Sequence, residues 1–210
     1  MSARLGRLLF RARSWTPVPL ALALIALARP TPAAFALGIA VAAAGEALRL
    51  AAIRRLDSTS RGARFRASAL ATDGPFRFVR HPVYLGNAMI VCGLCAAARV
   101  REPWFLAVAL VGFAVQYGSI MAGEEAFLAE RFPDAFARYR ERVPRLVPRL
   151  APSFTPRLGA PSEPPSAAAE RQGPPRRELR EAIRDEYRTL QTVALLLALI
   201  GMKGLILGAS

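Results

Sequence analysis

The chain has 210 residues, of which 53% are hydrophobic, yet it carries a formal net charge of +14. A soluble globular protein rarely combines these values, so apolar and charged residues must be segregated along the chain. Apolar runs of nearly 20 residues predict membrane-spanning helices. We therefore predict an all-α, multi-pass transmembrane bundle of about five spans. Arginine-rich and apolar segments alternate as the positive-inside rule describes, which argues against a nucleic-acid partner.

Two apolar runs near the N-terminus predict a helical hairpin. A basic cytoplasmic lead-in (residues 1–14) precedes the first two spans, residues 18–28 and 33–53, and Arg29-Pro30-Thr31-Pro32 between them has the composition of a tight turn. The region imitates a secretory signal, but a second apolar run follows directly, so we expect it to be retained. The first run is short for a membrane span. Its helix begins before Pro17, crosses the bilayer obliquely together with the second helix, or forms a re-entrant hairpin with it.

A first block of charged and aromatic residues precedes the third span. It reads Gly74-Pro75-Phe76-Arg77-Phe78-Val79-Arg80-His81-Pro82-Val83-Tyr84-Leu85-Gly86 and ends an Arg-rich segment expected at the cytoplasmic surface. Pro82 can begin a helix, because first-turn amides need no intrahelical partner. Gly86, Ile90 and Gly93 share one face of the predicted span 83–98. Another helix or a flat ligand could approach the backbone closely there.

A second block follows the fourth predicted span, residues 104–121. It runs from Glu124-Glu125 through Phe132-Pro133 to Tyr139, Val143, Pro144 and Arg145. Apolar residues after Glu125 predict a new amphipathic helix, which Pro133 interrupts. Ionisable groups at the edge of a membrane-length helix are costly and are usually kept for a function. The two blocks therefore predict a polar ligand held at the cytoplasmic membrane face.

The last third of the chain predicts a separate arrangement. Residues 151–176 are rich in Pro, Ser and Ala and are expected to be a flexible linker. Residues 177–210 predict an amphipathic helix on the membrane that leads into a fifth span, residues 192–207. Gly204 and Gly208 form a G-x-x-x-G pattern there, which favours helix association and allows a homodimer through the C-terminal helix.

Taken in order, the two blocks resemble the isoprenylcysteine carboxyl methyltransferase and phospholipid methyltransferase superfamily. The resemblance covers roughly residues 33–150 and makes residues 1–150 a methyltransferase-like membrane domain. It implies an integral-membrane enzyme that uses S-adenosylmethionine and releases S-adenosylhomocysteine. The cofactor pocket would lie where the cytoplasmic ends of the last two family helices meet. We expect a lipophilic or small hydrophobic acceptor that enters from the bilayer.

The resemblance also implies a set of site residues. The cofactor pocket would draw on Arg80, His81, Tyr84, Gly86, Glu124, Glu125, Tyr139 and Arg145. Arg80 or His81, with the free amides behind Pro82, would hold the methionine carboxylate. Either glutamate would accept hydrogen bonds from the ammonium or ribose groups, and Tyr84 would line the sulfonium or adenine.

His81, Glu125 and Arg80 are the predicted catalytic residues. A carboxylate or thiolate acceptor needs no general base, whereas an amine or hydroxyl would use Glu125 or neutral His81. With one histidine and no Cys/His cluster, no metal site is expected.

Two rival functions remain open. Membrane sterol reductases also carry an R-H-P-x-Y segment and bind a nicotinamide cofactor, but they tend to have Asn where this chain has Val83. The chain could also be a non-catalytic membrane scaffold, since each site residue has a plainer use in lipid contact or in ion pairing. The arginine distribution predicts a cell-membrane protein with its N-terminus and pocket cytoplasmic, and the Arg- and Ala-rich composition suggests a bacterial source.

Overall fold

The computed structural model describes residues 17–56, 69–148 and 177–208. These residues form six α-helices and a short 3-10 helix at Gly74–Arg77, and they contain no strand, which confirms the all-α prediction. The α-helices are α1 Pro17–Leu27, α2 Pro32–Ile53, α3 Pro82–Ala98, α4 Pro103–Arg131, α5 Pro133–Arg142 and α6 Leu179–Gly208. The predicted lead-in (1–14) and linker (151–176) lie outside the described residues, as do residues 57–68 of the Arg-rich segment.

Three helices are long and apolar enough to cross a membrane: α2, α6 and residues Trp104–Arg131 of α4. The other two predicted spans are the apolar helices α1 and α3, which have 11 and 17 residues. At about 1.5 Å per residue, α1 covers roughly half of a hydrocarbon core of about 30 Å. The first predicted span is therefore as short as the sequence indicated.

Two helices are longer than expected. We predicted a new helix after Glu124-Glu125, but α4 continues without interruption to Arg131. The segment between the glutamates and Arg131 contains no proline, and Pro133 is the first residue that cannot donate to the helical ladder. In the same way, the predicted amphipathic segment and the last span form one 30-residue helix, α6.

The chain folds into two compact units, each built from separate stretches of sequence. The first unit contains described residues 17–47, 86–121 and 186–208, and the second contains 48–56, 69–85, 122–148 and 177–185. The first unit is largely apolar, with a core drawn from α1, α3, α4 and α6. The second unit holds nearly all of the predicted site residues.

Within the first unit, α2 and α3 approach each other through glycines. A Cβ atom added to Gly38 would lie 2.4 Å from the backbone nitrogen of Ala97 and 2.5 Å from the carbonyl oxygen of Gly93. A Cβ atom on Gly45 would lie 2.7 Å from the carbonyl oxygen of Gly86. Such distances leave no room for a side chain, so the predicted glycine stripe of α3 is occupied by a neighbouring helix.

Lys203 connects α6 to the end of α1. Its ammonium donates to the carbonyl oxygens of Ile25, at 2.9 Å, and of Ala26. The last carbonyls of a helix have no intrahelical donor, and the turn after α1 contains Pro30 and Pro32, which have no N–H. In an apolar environment an unsatisfied carbonyl costs several kcal/mol. The Ile25 carbonyl also accepts from the Ala28 N–H at 3.3 Å, so Lys203 stabilises the hairpin mainly by supplying a donor to Ala26, whose usual partner position is Pro30.

We expect Lys203→Met to destabilise the protein by about 2 kcal/mol, because the substitution keeps most of the side-chain volume but removes the donor to the Ala26 carbonyl and one of the two donors to Ile25. Thermal unfolding of the detergent-purified protein measures this loss. Met202→Leu is the matched control, since Met202 is the exposed preceding residue. Equal unfolding midpoints for Lys203→Met and the parent would contradict the capping role.

Candidate functional site

The backbones of the two sequence blocks pair directly. The Arg80 N–H donates to the carbonyl oxygen of Pro144 at 2.8 Å, and the His81 N–H donates to that of Arg145 at 3.2 Å. Arg80 and His81 lie immediately before Pro82, which begins α3. Pro144 and Arg145 lie shortly after the end of α5. The pairing holds the end of the first block against the end of the second block and brings their charged side chains together.

Glu125 lies at the centre of the resulting charged cluster. Its Oε1 atom accepts from Arg80 Nη1 at 2.9 Å and from Arg145 Nε at 3.1 Å, and it lies 3.0 Å from His81 Nε2. The His81 and Arg80 side chains are only 4% and 13% exposed, and that of Glu125 is 18% exposed. One carboxylate oxygen therefore organises three basic groups in a largely water-excluded place, where such contacts are stronger than at the surface.

Glu124 faces the other side of the same imidazole. Its Oε2 atom is 3.5 Å from His81 Nδ1 but is buried without a hydrogen-bond partner, and the Nε atom of Arg80 is also buried without one. Buried polar atoms are normally satisfied, so an unmatched acceptor and an unmatched donor on residues that both contact this cluster need an explanation. Burial lowers the pKa of Arg80 from its ordinary value, and the Glu125 carboxylate opposes that shift.

The remaining predicted site residues have different surroundings. The Tyr84 ring lies beside His81, with 5.6 Å between the ring centroids. The buried Tyr139 donates its hydroxyl proton to the carbonyl oxygen of Phe76 at 2.8 Å. Gly86 belongs to the first unit, where its carbonyl faces Gly45. The structure thus brings together the five predicted charged residues and Tyr84, while Tyr139 and Gly86 make packing contacts of their own.

Two features support the start of the first block: an ion pair of Asp73, which sequence reasoning missed, and Gly74, which it included. Asp73 forms an ion pair with Arg55 just before the 3-10 helix. Gly74 follows with a φ of +56°, a backbone conformation that glycine adopts without strain. The Asp-Gly dipeptide was a visible turn signal, but nothing local in the sequence names Arg55 as the partner of Asp73.

The cluster can recognise a ligand that carries both signs of charge. Arg80, Arg145 and His81 offer cationic or hydrogen-bonding nitrogens, and Glu124 offers a carboxylate oxygen that lies 3.5 Å from His81 Nδ1 but accepts no hydrogen bond. Charge-assisted hydrogen bonds of this kind are stronger than neutral ones. Over the described stretches of the chain, no group of three or more His, Cys, Asp or Glu side chains is arranged to hold a metal ion.

A comparison with known families matches the stretch of chain that contains most of the cluster residues. A family model described as phospholipid methyltransferase matches residues 33–135, which include the whole first block and both glutamates. The predicted superfamily resemblance is confirmed, since residues 33–135 are similar to the phospholipid methyltransferase family. Together with its apolar helices, the match supports a membrane methyltransferase.

Two curated bacterial proteins are similar over a shorter stretch. The cobalt-zinc-cadmium resistance protein CzcN of Cupriavidus metallidurans is 36% identical over 77 residues, which cover 37% of this chain and 34% of that protein. The nickel-cobalt-cadmium resistance protein NccN of Alcaligenes xylosoxydans xylosoxydans is 31% identical over 79 residues, covering 38% and 36%. The chain therefore spans about a third of the length of these relatives. No solved structure matches the chain.

Proposed function

We propose that the protein transfers a methyl group from S-adenosylmethionine to a lipophilic or small hydrophobic acceptor. The observation that carries the proposal is the unmatched pair of buried atoms in the charged cluster, Arg80 Nε and Glu124 Oε2. S-adenosylmethionine ends in a carboxylate and an ammonium, and these two groups are the partners that such a donor and such an acceptor lack. The family match to a phospholipid methyltransferase supports the same reaction.

The cluster residues have distinct roles in this proposal. Arg80 binds the carboxylate of the cofactor beside the start of α3, where a helix N-terminus favours an anion. Glu124 accepts hydrogen bonds from the ammonium, and the Tyr84 ring lies beside His81 to contact the sulfonium or the adenine. When bound, the cofactor supplies the methyl group as an electrophile.

Glu125 and His81 position the cationic groups in our proposal. Glu125 Oε1 is already contacted by three nitrogens, and both nitrogens of His81 face carboxylates, so these atoms are engaged within the cluster. Methyl transfer is an in-line displacement, for which alignment and exclusion of water are the main contributions of a protein. A nucleophile that arrives deprotonated fits this arrangement best.

The setting of the reaction is part of the proposal. The arginine-rich segments assign the cluster and the N-terminus to the cytoplasmic side of a bacterial cell membrane. The acceptor then reaches the cluster from the lipid. A homodimer through α6 would use an exposed face that includes Leu195, Met202 and Leu205, since Gly204 packs against Pro30 of the same chain.

Calorimetry on detergent-purified protein tests the proposed cofactor. We expect S-adenosylhomocysteine to bind and NADPH not to bind. Glu124→Gln should weaken S-adenosylhomocysteine binding about tenfold or more, because a charge-assisted hydrogen bond is lost. Glu130→Gln is the matched control, since Glu130 is an exposed glutamate on the same helix.

The other outcomes of these experiments would favour one of the two rival functions or would contradict the role of Glu124. Binding of NADPH alone would favour the reductase function. Binding of S-adenosylhomocysteine without transfer of labelled methyl groups to any component of a total lipid and metabolite extract would favour the scaffold. Unchanged affinity in Glu124→Gln would overturn the assignment of the ammonium to Glu124.

A further inference from the structure

The Tyr139 hydroxyl occupies a position that a backbone amide would take in a longer helix. In the 3-10 helix Gly74–Arg77 and the residues after it, the N–H groups of Phe78 and Val79 both donate to the carbonyl of Pro75. One further helical step would bring the Arg80 N–H to the carbonyl of Phe76. Instead, Tyr139 donates to the Phe76 carbonyl at 2.8 Å, and the Arg80 N–H donates to Pro144.

This exchange of partners ends the helix at a defined residue. A carbonyl at a helix end needs a donor from outside the helix, and Tyr139 provides one from α5. Because Phe76 is satisfied in this way, Arg80 and His81 are free to pair in sequence with Pro144 and Arg145. The positions of the Arg80 and His81 side chains, which both contact Glu125, depend on that pairing.

Tyr139 is held rigidly for this purpose. Its ring is buried in a cluster with Leu70 and Phe136, and the Phe76 ring is buried in a second cluster with Ala52 and Ala71. Burial raises the pKa of Tyr139, so its hydroxyl stays protonated and remains a donor at all ordinary pH values.

We propose that Tyr139 is a positioning residue for the cofactor carboxylate, which it affects through the Phe76 carbonyl and the amides of Arg80 and His81. The family resemblance predicted a direct cofactor contact for Tyr139, and our proposal replaces that contact with an indirect one. Only the identity of the bound ligand in this proposal rests on the proposed function. The backbone arrangement is independent of the ligand and can be tested without it.

Tyr139→Phe is the decisive variant, because it removes the hydroxyl and keeps the buried ring. Tyr187→Phe is the matched control, since Tyr187 is exposed on α6. Hydrogen exchange of the Arg80 and His81 amides should become about tenfold faster in Tyr139→Phe and remain unchanged in Tyr187→Phe. Unchanged exchange in Tyr139→Phe would overturn the proposal, whether or not the protein binds S-adenosylhomocysteine.

Ligand binding separates positioning from a general loss of stability. S-adenosylhomocysteine has the amino-carboxylate that Arg80 is proposed to hold, whereas methylthioadenosine lacks it. In Tyr139→Phe, we expect the affinity for S-adenosylhomocysteine to fall about tenfold and that for methylthioadenosine to change less than twofold. An equal fall for both ligands, or no fall for S-adenosylhomocysteine, would overturn the proposal. If the parent binds neither ligand, the proposed function fails, and the exchange rates alone decide the role of Tyr139.

Discussion

Glu125→Gln is expected to abolish cofactor binding and to destabilise the second unit by about 3 kcal/mol. Glu125 Oε1 contacts three basic groups, two of which are largely buried. Removing one partner of a buried ion pair leaves the opposite charge without compensation, which typically costs about 3–5 kcal/mol. The lower end applies here, because Arg145 is 40% exposed and can turn towards water.

Denaturant unfolding and calorimetry on the same preparations test this expectation. Comparison with Glu124→Gln is informative, because Glu124 accepts no hydrogen bond at Oε2, so its replacement should reduce binding with little loss of stability. Glu130→Gln serves again as the exposed control. If Glu125→Gln unfolded and bound S-adenosylhomocysteine like the parent, the central place of Glu125 in the cluster would be wrong.

Gly38→Ala is expected to destabilise the first unit by about 3 kcal/mol or more. The added methyl would lie 2.4 Å from a backbone nitrogen and 2.5 Å from a backbone oxygen of α3. Backbone atoms inside a packed helix pair cannot move aside cheaply, so the cost should reach or exceed the upper end of the usual range for overpacking, about 1–3 kcal/mol. The two helices would have to separate along their contact.

Gly112→Ala is a matched control for this effect. A Cβ atom at Gly112 meets nothing within 4 Å, and the residue lies within α4. Because alanine favours a helix over glycine by about 1 kcal/mol, this variant should be as stable as the parent or slightly more stable. Thermal unfolding in detergent distinguishes the two substitutions. Similar midpoints for Gly38→Ala and Gly112→Ala would show that α2 and α3 are not in close contact.

Much of the fold was predictable because helix signals are local. The apolar runs indicated the order of the helices, and Pro82 was predicted to begin α3, as it does. The boundaries were predicted less well where the sequence changes character without a breaker. Glu124 and Glu125 interrupt the hydropathy of α4 but not its hydrogen bonding, so the helix continues to Arg131.

The sequence was also an incomplete guide to which face of α6 is buried. Leu179, Ile183 and Tyr187 form the apolar stripe that the sequence indicated, but these side chains are exposed. The buried face of this part of the helix carries Ala182 and Glu186 instead. The stripe of large apolar residues was assigned to the membrane from the sequence, and that periodicity does not identify the face that packs within the protein.

The charged cluster was predictable in membership but not in geometry. Resemblance to a family named Arg80, His81 and the two glutamates in advance. It could not show that Glu125 contacts three nitrogens while Glu124 keeps an unmatched oxygen, since those contacts depend on backbone pairing between residues more than 60 positions apart. The Tyr139 contact with Phe76 is non-local in the same way.

Lys203 is the sole lysine in the sequence, and its amine is committed to two main-chain oxygens of α1. An amine-selective acylating reagent therefore meets one side-chain target whose reactivity is suppressed as long as the hairpin remains closed against α6. The rate of Lys203 acylation therefore reports how often these helices separate transiently. Mass spectrometry can measure this rate in native lipid without any engineered label.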